Sequence, residues 1–186
     1  MPNFTENAIK ATFLDLLEKK PLTDITVKMI VEECGINRNS FYYHYQDIPA
    51  LIEEIIKDES DKLISENPTI DSVEQAMKAA TSFASRNRTA ILHIYNSVNR
   101  DIFERYLWNV CGHIVETYGR SIEGWDKVSE FDRGIINRFY KCECFGVVIE
   151  WLNDRMTTDV NVYIDRFCEL YHGMAEEMVK RCLMVK

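Results

Sequence analysis

One stretch restricts the possible folds more than any other. Residues 26–45 read TVKMIVEECGINRNSFYYHY, two short segments with helical apolar spacing on either side of a single glycine. Val27, Ile30, Val31 and Cys34 form the apolar stripe of the first segment, and Thr26 offers its hydroxyl as an N-cap. Gly35 is the residue best suited to the left-handed turn that ends a helix. Asn37 can cap a second, very short helix over 38–43. With the apolar residues turned inward, the second helix is held rigidly against the first.

The flanking chain is helical in the same sense. Ile9, Phe13, Leu16 and Leu17 lie on one face of a helix that stops at Lys19-Lys20-Pro21, with cations at its C-terminal end and a proline beyond. Asp47 can cap a fourth helix with Pro49 in its first turn, and Leu51, Ile52, Ile55, Ile56, Leu63 and Ile64 form its apolar face. Asn67-Pro68 breaks the pattern and is the expected domain boundary. Beyond it the spacing predicts helices over 71–86 (Val73, Met77, Ala80, Phe83), 89–99, 101–122, 130–156 and 159–184, with Gly124 and Trp125 in a loop. Seven glycines and four prolines are few for an all-β chain, whose turns consume both. The fold class is therefore all-α. A three-helix helix-turn-helix domain is expected over 1–46, a connecting helix over 47–66 and a larger helical domain over 67–186.

A helix-turn-helix of this kind can lay its second helix in the major groove of DNA while the first crosses the backbone. The outer side of that helix carries Arg38, Asn39, Ser40 and Tyr43, all able to hydrogen-bond base edges, and Arg can address guanine bidentately. Phe41 and Tyr45 read as its anchors, and Tyr42 and His44 can reach phosphates. Charge opposes this reading. The chain carries −8 at pH 7, and its first fifty residues hold five cations against seven carboxylates. DNA binding needs a local positive surface rather than a positive total, yet this balance disfavours tight non-specific binding.

The segment resembles the TetR family of regulators. Thr26 opens the second helix, Gly35 makes the turn, and Tyr42-Tyr43-His44-Tyr45 matches the family's aromatic run. Glu150-Trp151-Leu152-Asn153-Asp154-Arg155-Met156 is similar to a segment of the family's C-terminal domain. The resemblance implies a homodimeric regulator, in most relatives a repressor, that binds a palindromic double-stranded operator and answers to a small-molecule effector held in the C-terminal ligand-binding and dimerisation domain. Thr26 and Tyr42 fall where members touch phosphates. Arg38, Asn39, Ser40 and Tyr43 fall where they read bases, and Lys28 and His44 join the DNA-facing set. Many members carry a lysine at the start of the fourth helix, where this chain has Ile48.

The resemblance also implies an effector pocket, for which Phe83, Tyr95, Phe103, Tyr106, Trp108 and His113 are the candidates by position. The helix over 130–156 is apolar around much of its circumference, with Ile135, Phe139, Cys142, Gly146 and Ile149 on one face. Ile136, Tyr140, Val147, Trp151 and Leu152 lie on a neighbouring face. Such a helix must be covered on two sides, and one side can be its own core and the other a partner chain, unless a single monomer's core covers both. Ile136, Tyr140, Val147 and Trp151, with Phe167, Tyr171, Met174 and Met178 of the final helix, are the expected dimer seam.

No nucleophile elbow, phosphate loop or paired-carboxylate motif points to an enzyme, and Glu53-Glu54 and Glu176-Glu177 read as solvated helix faces. Neither the six cysteines nor the four histidines have metal-site spacing, so no metal or cofactor is expected. The cysteines read as reduced, small core residues. No apolar run suits a membrane span, and the N-terminus lacks the pattern of a signal peptide, so a cytoplasmic location is expected. The competing reading is a co-regulator on the same fold that binds a protein partner and has weak or no DNA binding.

Overall fold

The structure, a computed structural model, describes residues 4–66 and 73–184, and every regular element among them is helical. In chain order these are α1 (Phe4–Lys19), α2 (Val27–Cys34), α3 (Arg38–His44), α4 (Ile48–Glu66) and α5 (Val73–Arg86). Then come α6 (Arg88–Tyr95), α7 (Arg100–Ser121), α8 (Glu130–Asn153), α9 (Val160–Leu170) and α10 (Met174–Met184). Single 3-10 turns occupy Leu22–Asp24 and Trp125–Lys127. The all-α class holds, with the helix-turn-helix at the N-terminal end and a larger helical part after it. The expected break at Asn67-Pro68, the start of its following helix at Asp71 and the side chain of Val73 lie outside what is described.

The chain forms two compact units, Met1–Ser60 with Asn87–Tyr106, and Asp61–Arg86 with Leu107–Lys186. In the first unit, Ile9, Phe13 and Leu17 of α1 are fully buried together with Ile30 of α2, Phe41 of α3 and Leu51 and Ile52 of α4. Ala90 and Ile94 of α6 complete this core. His93 on α6 ties the two ends of the unit's sequence together, its Nδ1 lying 2.8 Å from the Leu17 carbonyl of α1. A carbonyl only accepts, so Nδ1 carries the proton.

In the second unit, Ile136 of α8 packs with Trp125, Val128, Ala175 and Val179. Gly119 of α7 is required here, because a Cβ at that position would come within 2.9 Å of the Trp125 ring. A second cluster joins Cys111 and Val115 of α7 to Cys144 of α8. Lys78 of α5 pairs with Asp165 of α9 at 2.5 Å.

Three helix ends differ from the sequence expectation. The final helix is two, because Gly173 turns left-handed at φ +78° and divides α9 from α10. The helix α6 stops at Tyr95 rather than near Asn99. There the Asn96 side chain donates to the Leu92 carbonyl at 2.8 Å and the Ser97 hydroxyl to the Ile94 carbonyl at 2.7 Å, taking over its last acceptors. The helix α8 stops at Asn153 rather than Met156. Arg155 and Met156 are left-handed, and the Asp154 carboxylate accepts from the hydroxyls of Thr157 and Thr158, each at 2.6 Å. Trp125, expected in a loop, is a buried core residue on its 3-10 turn.

One polar cluster braces the first unit. The Lys10 ammonium of α1 donates to Glu6 at 2.8 Å and to Asp58 of α4 at 2.6 Å. Burial opposes its charge, but the bonds to Asp58 and Glu6 prevail and hold its pKa above the usual lysine value. Nearby, burial pushes the Tyr45 phenol up to about 12, against the partial relief of the Lys10 charge. Both groups bind their proton more tightly folded than unfolded, so their stabilisation is complete below about pH 10; the Tyr45 part is lost as pH rises through about 12, and the Lys10 part persists to higher pH. The unfolding free energy from urea titrations should therefore fall between about pH 10 and 12. Tyr45→Phe should make that fall shallower without abolishing it, because burial also pushes Tyr118 up to about 12. An unchanged slope in the variant would contradict this account.

Candidate DNA-binding interface

The helix α2 is set at both ends by its own sequence. The Thr26 hydroxyl, on extended backbone, accepts from the Met29 N–H at 3.3 Å. At the other end Gly35 sits at φ +69°, ψ +28°. Its N–H donates to the Glu32 carbonyl at 3.3 Å and the Ile36 N–H to the Val31 carbonyl at 3.0 Å, the paired bonds of a Schellman turn. Ile36 then packs against the core. One residue later Asn37 caps α3, its Oδ1 accepting from the Ser40 N–H at 2.9 Å and the Ser40 hydroxyl at 3.2 Å. Two residues therefore suffice to stop one helix and start the next.

The helix α3 divides cleanly into two sides. Phe41 is fully buried and Tyr45, at its C-terminal end, nearly so, their rings 5.8 Å apart. On the opposite side Asn39 is exposed and Tyr43 is 84% exposed. Arg38 and Tyr42 flank this ridge, both exposed, and half-buried Ser40 and His44 flank it on the other side. Tyr42 stands edge-on to Phe41 at 5.6 Å and Tyr43 edge-on to His44 at 5.1 Å, so the aromatic run braces itself ring by ring.

Thr26 and Lys28 stand exposed at the start of α2, but Lys28 pairs with Glu32 at 3.7 Å, which draws off part of its charge. Ile48 packs against the core rather than meeting solvent as a lysine would. Asp47 before it accepts from the Ala50 N–H at 2.8 Å and caps α4. Arg38 is thus the principal cation of the ridge.

Residues 11–55 match the family profile described as bacterial regulatory proteins, tetR family, and residues 71–173, more than half of the chain, match the family's profile for a transcriptional regulator C-terminal region. The chain belongs to the TetR family. The resemblance carried by Thr26, Gly35 and the Tyr42–Tyr45 run holds, and the family is one of transcription regulators rather than enzymes. Among curated relatives, the HTH-type transcriptional regulator YxbF of Bacillus subtilis (strain 168) is 24% identical over 163 residues, covering 83% of this chain. The match covers only 41% of that relative's length. Among solved structures, the dihydroxyacetone kinase operon activator DhaS superposes with a TM-score of 0.73 at 16% identity, over 93% of this chain and 97% of DhaS. A TetR regulator from Rhodococcus sp. RHA1 superposes with a TM-score of 0.57 at 16% identity, over 90% and 96%.

In this TetR-family chain the six aromatic and histidine residues expected to line an effector pocket are shared between the two compact units. Tyr95, Phe103 and Tyr106 belong to the first unit, and Phe83, Trp108 and His113 to the second. Tyr95 is buried edge-on to Phe103 under the Arg100 guanidinium, which lies 4.1 Å above its ring. The Tyr106 hydroxyl lies 3.4 Å from Glu53, which also accepts from Arg105 at 2.6 Å, so Glu53 is a paired carboxylate rather than a merely solvated one. Trp108 is partly exposed beneath the Lys141 ammonium, 4.2 Å from its ring centre, and half-buried His113 lies 3.5 Å from the Thr117 hydroxyl. Phe83 is half-buried on α5. None of the six lines the 310 Å³ cavity between α7, α8 and the junction of α9 with α10. Ile136, Tyr140, Phe167 and Tyr171, expected at the dimer seam, do line it.

The seam residues divide as well. Ile136 and Trp151 are buried in this chain's own core, Trp151 donating through its indole N–H to the Thr158 carbonyl at 3.1 Å. Val147, Phe167, Met174 and Met178 are half-buried, and Met178 packs on the Trp125 cluster. The neighbouring face of α8 is the open one. Phe131 is 78% exposed, Ile135 54% and Phe139 47%, with Cys142 exposed and continuing the stripe. Glu176, expected on a solvated face, has a buried Oε2, and its Oε1 accepts from the Tyr118 hydroxyl at 3.0 Å. Burial pushes the Cys111 and Cys144 thiols each up to about 12, so they pack as apolar residues rather than react as thiolates. Among the described residues no helix is long and apolar enough to cross a membrane, and no group of three His, Cys, Asp or Glu side chains could hold a metal ion.

The Gly35 turn sets where α3 points, and its space is open, with no atom within 4 Å of an added Cβ. The cost of Gly35→Ala is then that of the left-handed backbone alone, about 1 kcal/mol of unfolding free energy. Urea unfolding should register that loss, and Gly35→Asn should lose less. A neutral Gly35→Ala would mean that the turn relaxes out of the left-handed region without penalty.

Proposed function

We propose that this chain is a sequence-specific DNA-binding regulator acting in the cytoplasm as a homodimer on a palindromic operator, and that a small-molecule effector modulates it. The observation that carries the reading is the outward side of α3. Arg38, Asn39, Tyr42 and Tyr43 stand exposed on a short helix whose other side is anchored by Phe41 and Tyr45. A packing helix has no use for such a ridge, whereas a major groove admits one helix and is read by these side-chain types. Arg38, Asn39 and Tyr43 address base edges, and Ser40 does so only by releasing its bond to Asn37. Thr26, Lys28, Tyr42 and His44 meet phosphates. Repression is the sense we propose, as in most of the family. The superposable DhaS is by name an operon activator, and the same helices serve either sense.

The dimer forms through the open stripe of α8, Phe131, Ile135, Phe139 and Cys142, with a second copy of the chain as its occupant. Two features support self-association. Gly134 and Gly146 leave open space that lets a second helix approach closely. Arg138 lies beside the stripe with Glu130 and Glu143, so the face carries both signs and can pair with itself about a two-fold axis.

A second reading, a co-regulator that binds a protein partner and has little or no affinity for DNA, draws on the charge. The chain carries −8, Lys28 is paired with Glu32, and Ile48 packs inward where many relatives place a lysine. Selection of random duplex DNA on the purified protein, at low and at moderate salt, separates the two. A palindrome with half-sites about one helical turn apart, bound less tightly as salt is added, supports the operator reading. No enrichment at either salt makes the co-regulator the better account.

With the selected operator in hand, Arg38→Ala should weaken specific binding by roughly 1–3 kcal/mol and relax preference at one base position. Tyr42→Phe should weaken binding to all sequences alike. Equal operator affinity in both variants and the parent protein would remove α3 from the groove. For the dimer, Phe139→Asp should shift the sedimentation mass from dimer to monomer while helix content is kept, and Lys180→Asp, at an exposed α10 position that is not part of the stripe, should not.

A further inference from the structure

The cavity of the second unit is built unlike a packing defect. Its 310 Å³ opens between the end of α7, the middle of α8 and the α9–α10 junction, against the apolar surfaces of Trp125, Ile136 and Phe167. A void left by loose packing would be apolar throughout. Here three lining residues each hold a buried polar atom with no hydrogen-bond partner in the protein. These are Asn137 Oδ1, the Tyr140 hydroxyl and Glu176 Oε2. Buried polar groups are nearly always satisfied, so three orphans on one cavity wall point to a ligand that completes them.

Their chemistry narrows the ligand. Glu176 is anchored by its other oxygen, which accepts from the Tyr118 hydroxyl at 3.0 Å, so Oε2 is held in place. Burial and the Glu176 charge keep the Tyr118 and Tyr140 phenols protonated well past neutral pH. All three orphans can accept a hydrogen bond, one is a carboxylate oxygen, no lysine or arginine lines the cavity, and its one histidine, His172, is exposed. An anion is repelled there, and one carboxylate is too poor a donor set for a divalent cation. An ammonium group offers three N–H donors and a positive charge, and aromatic faces attract cations.

We propose that this cavity binds a small organic amine in its ammonium form. The –NH3+ group lies among Glu176, Asn137 and Tyr140, and a compact apolar body rests on Trp125 and Phe167. None of the six residues expected from position to line a pocket lines this cavity. The site gives a chemical class to the effector of the proposed regulator, and only its effect on operator affinity rests on that reading.

Calorimetric titration of the full chain with 2-phenylethylamine, in the absence of DNA, tests the site. Its neutral isostere 2-phenylethanol and the acid 3-phenylpropanoate serve as comparisons. The amine should bind saturably and raise the melting temperature, and neither comparison compound should do so. Glu176→Gln keeps the shape and removes the charge, and should weaken amine binding by about tenfold or more. Tyr140→Phe should weaken it by a smaller factor. Tyr140→Phe should not lower the melting temperature of the unliganded protein, since it alters an atom that has no partner there. Equal binding of amine and alcohol, unchanged affinity in Glu176→Gln, or no saturable binding of the amine would each overturn the proposal. Because no DNA is present, such a failure is distinct from a failure to select an operator.

Discussion

Everything distinctive in the N-terminal unit depends on burying Phe41. The helix α3 has seven residues, far too few to persist alone in water, so its existence and direction come from tertiary contact rather than propensity. Phe41 locks it to Phe13, Ile30 and Leu51, and the Gly35 turn delivers it at one angle. Capping by Thr26 and Asn37 supplies the hydrogen bonds that such short helices cannot form internally. The exposed ridge of Arg38, Asn39 and Tyr43 is then a rigid surface without being a large one. His93 extends the bracing, fixing α6 to the last turn of α1 through a single ring nitrogen.

Much of this was legible in residue spacing. Thr26, Gly35 and Asn37 announce their caps and turn through chemistry that acts within four residues, and the apolar stripes of α1, α2 and α4 follow a strict helical period. What spacing cannot reveal is which of two apolar faces on one helix is covered by its own chain. On α8 the faces containing Ile136 and Ile135 are equally plausible in sequence, and only packing against Trp125 and Val179 buries the first. Position along the middle helices does not tell a core aromatic from a surface one for the same reason. Tyr95 and Trp108 are aromatic residues on adjacent helices, yet one is core and the other lies at the surface under Lys141. Glu176 was illegible because its neighbour Glu177 does what acidic pairs usually do, pairing with Arg181 at 2.9 Å in solvent. Gly173 was the visible sign that the last helix is broken, and the apolar period running through it hid the break.

The charge balance shapes how a groove-binding surface would have to work on this chain. Lys28 shares its charge with Glu32, Ile48 is turned to the core, and Asp47 stands beside it. The ridge therefore offers hydrogen-bonding capacity with little electrostatic attraction. Surfaces of that kind discriminate between sequences better than they hold DNA in general, because base contacts carry sequence information and phosphate contacts carry most of the salt-dependent affinity.

The helix α8 joins the remaining features through simple geometry. Ile136, Asn137 and Tyr140 line the cavity, while Ile135, Arg138 and Phe139, interleaved with them on the same two turns, form the open face. A helix backbone is stiff, and a residue on one side moves only if its neighbour on the other side moves with it. A small rotation of α8 that improves the grip of Asn137 and Tyr140 must also re-aim Ile135 and Phe139. If the cavity takes the proposed ligand and the open face pairs as proposed, the two events would be linked through this one element, and such linkage would work equally in both directions.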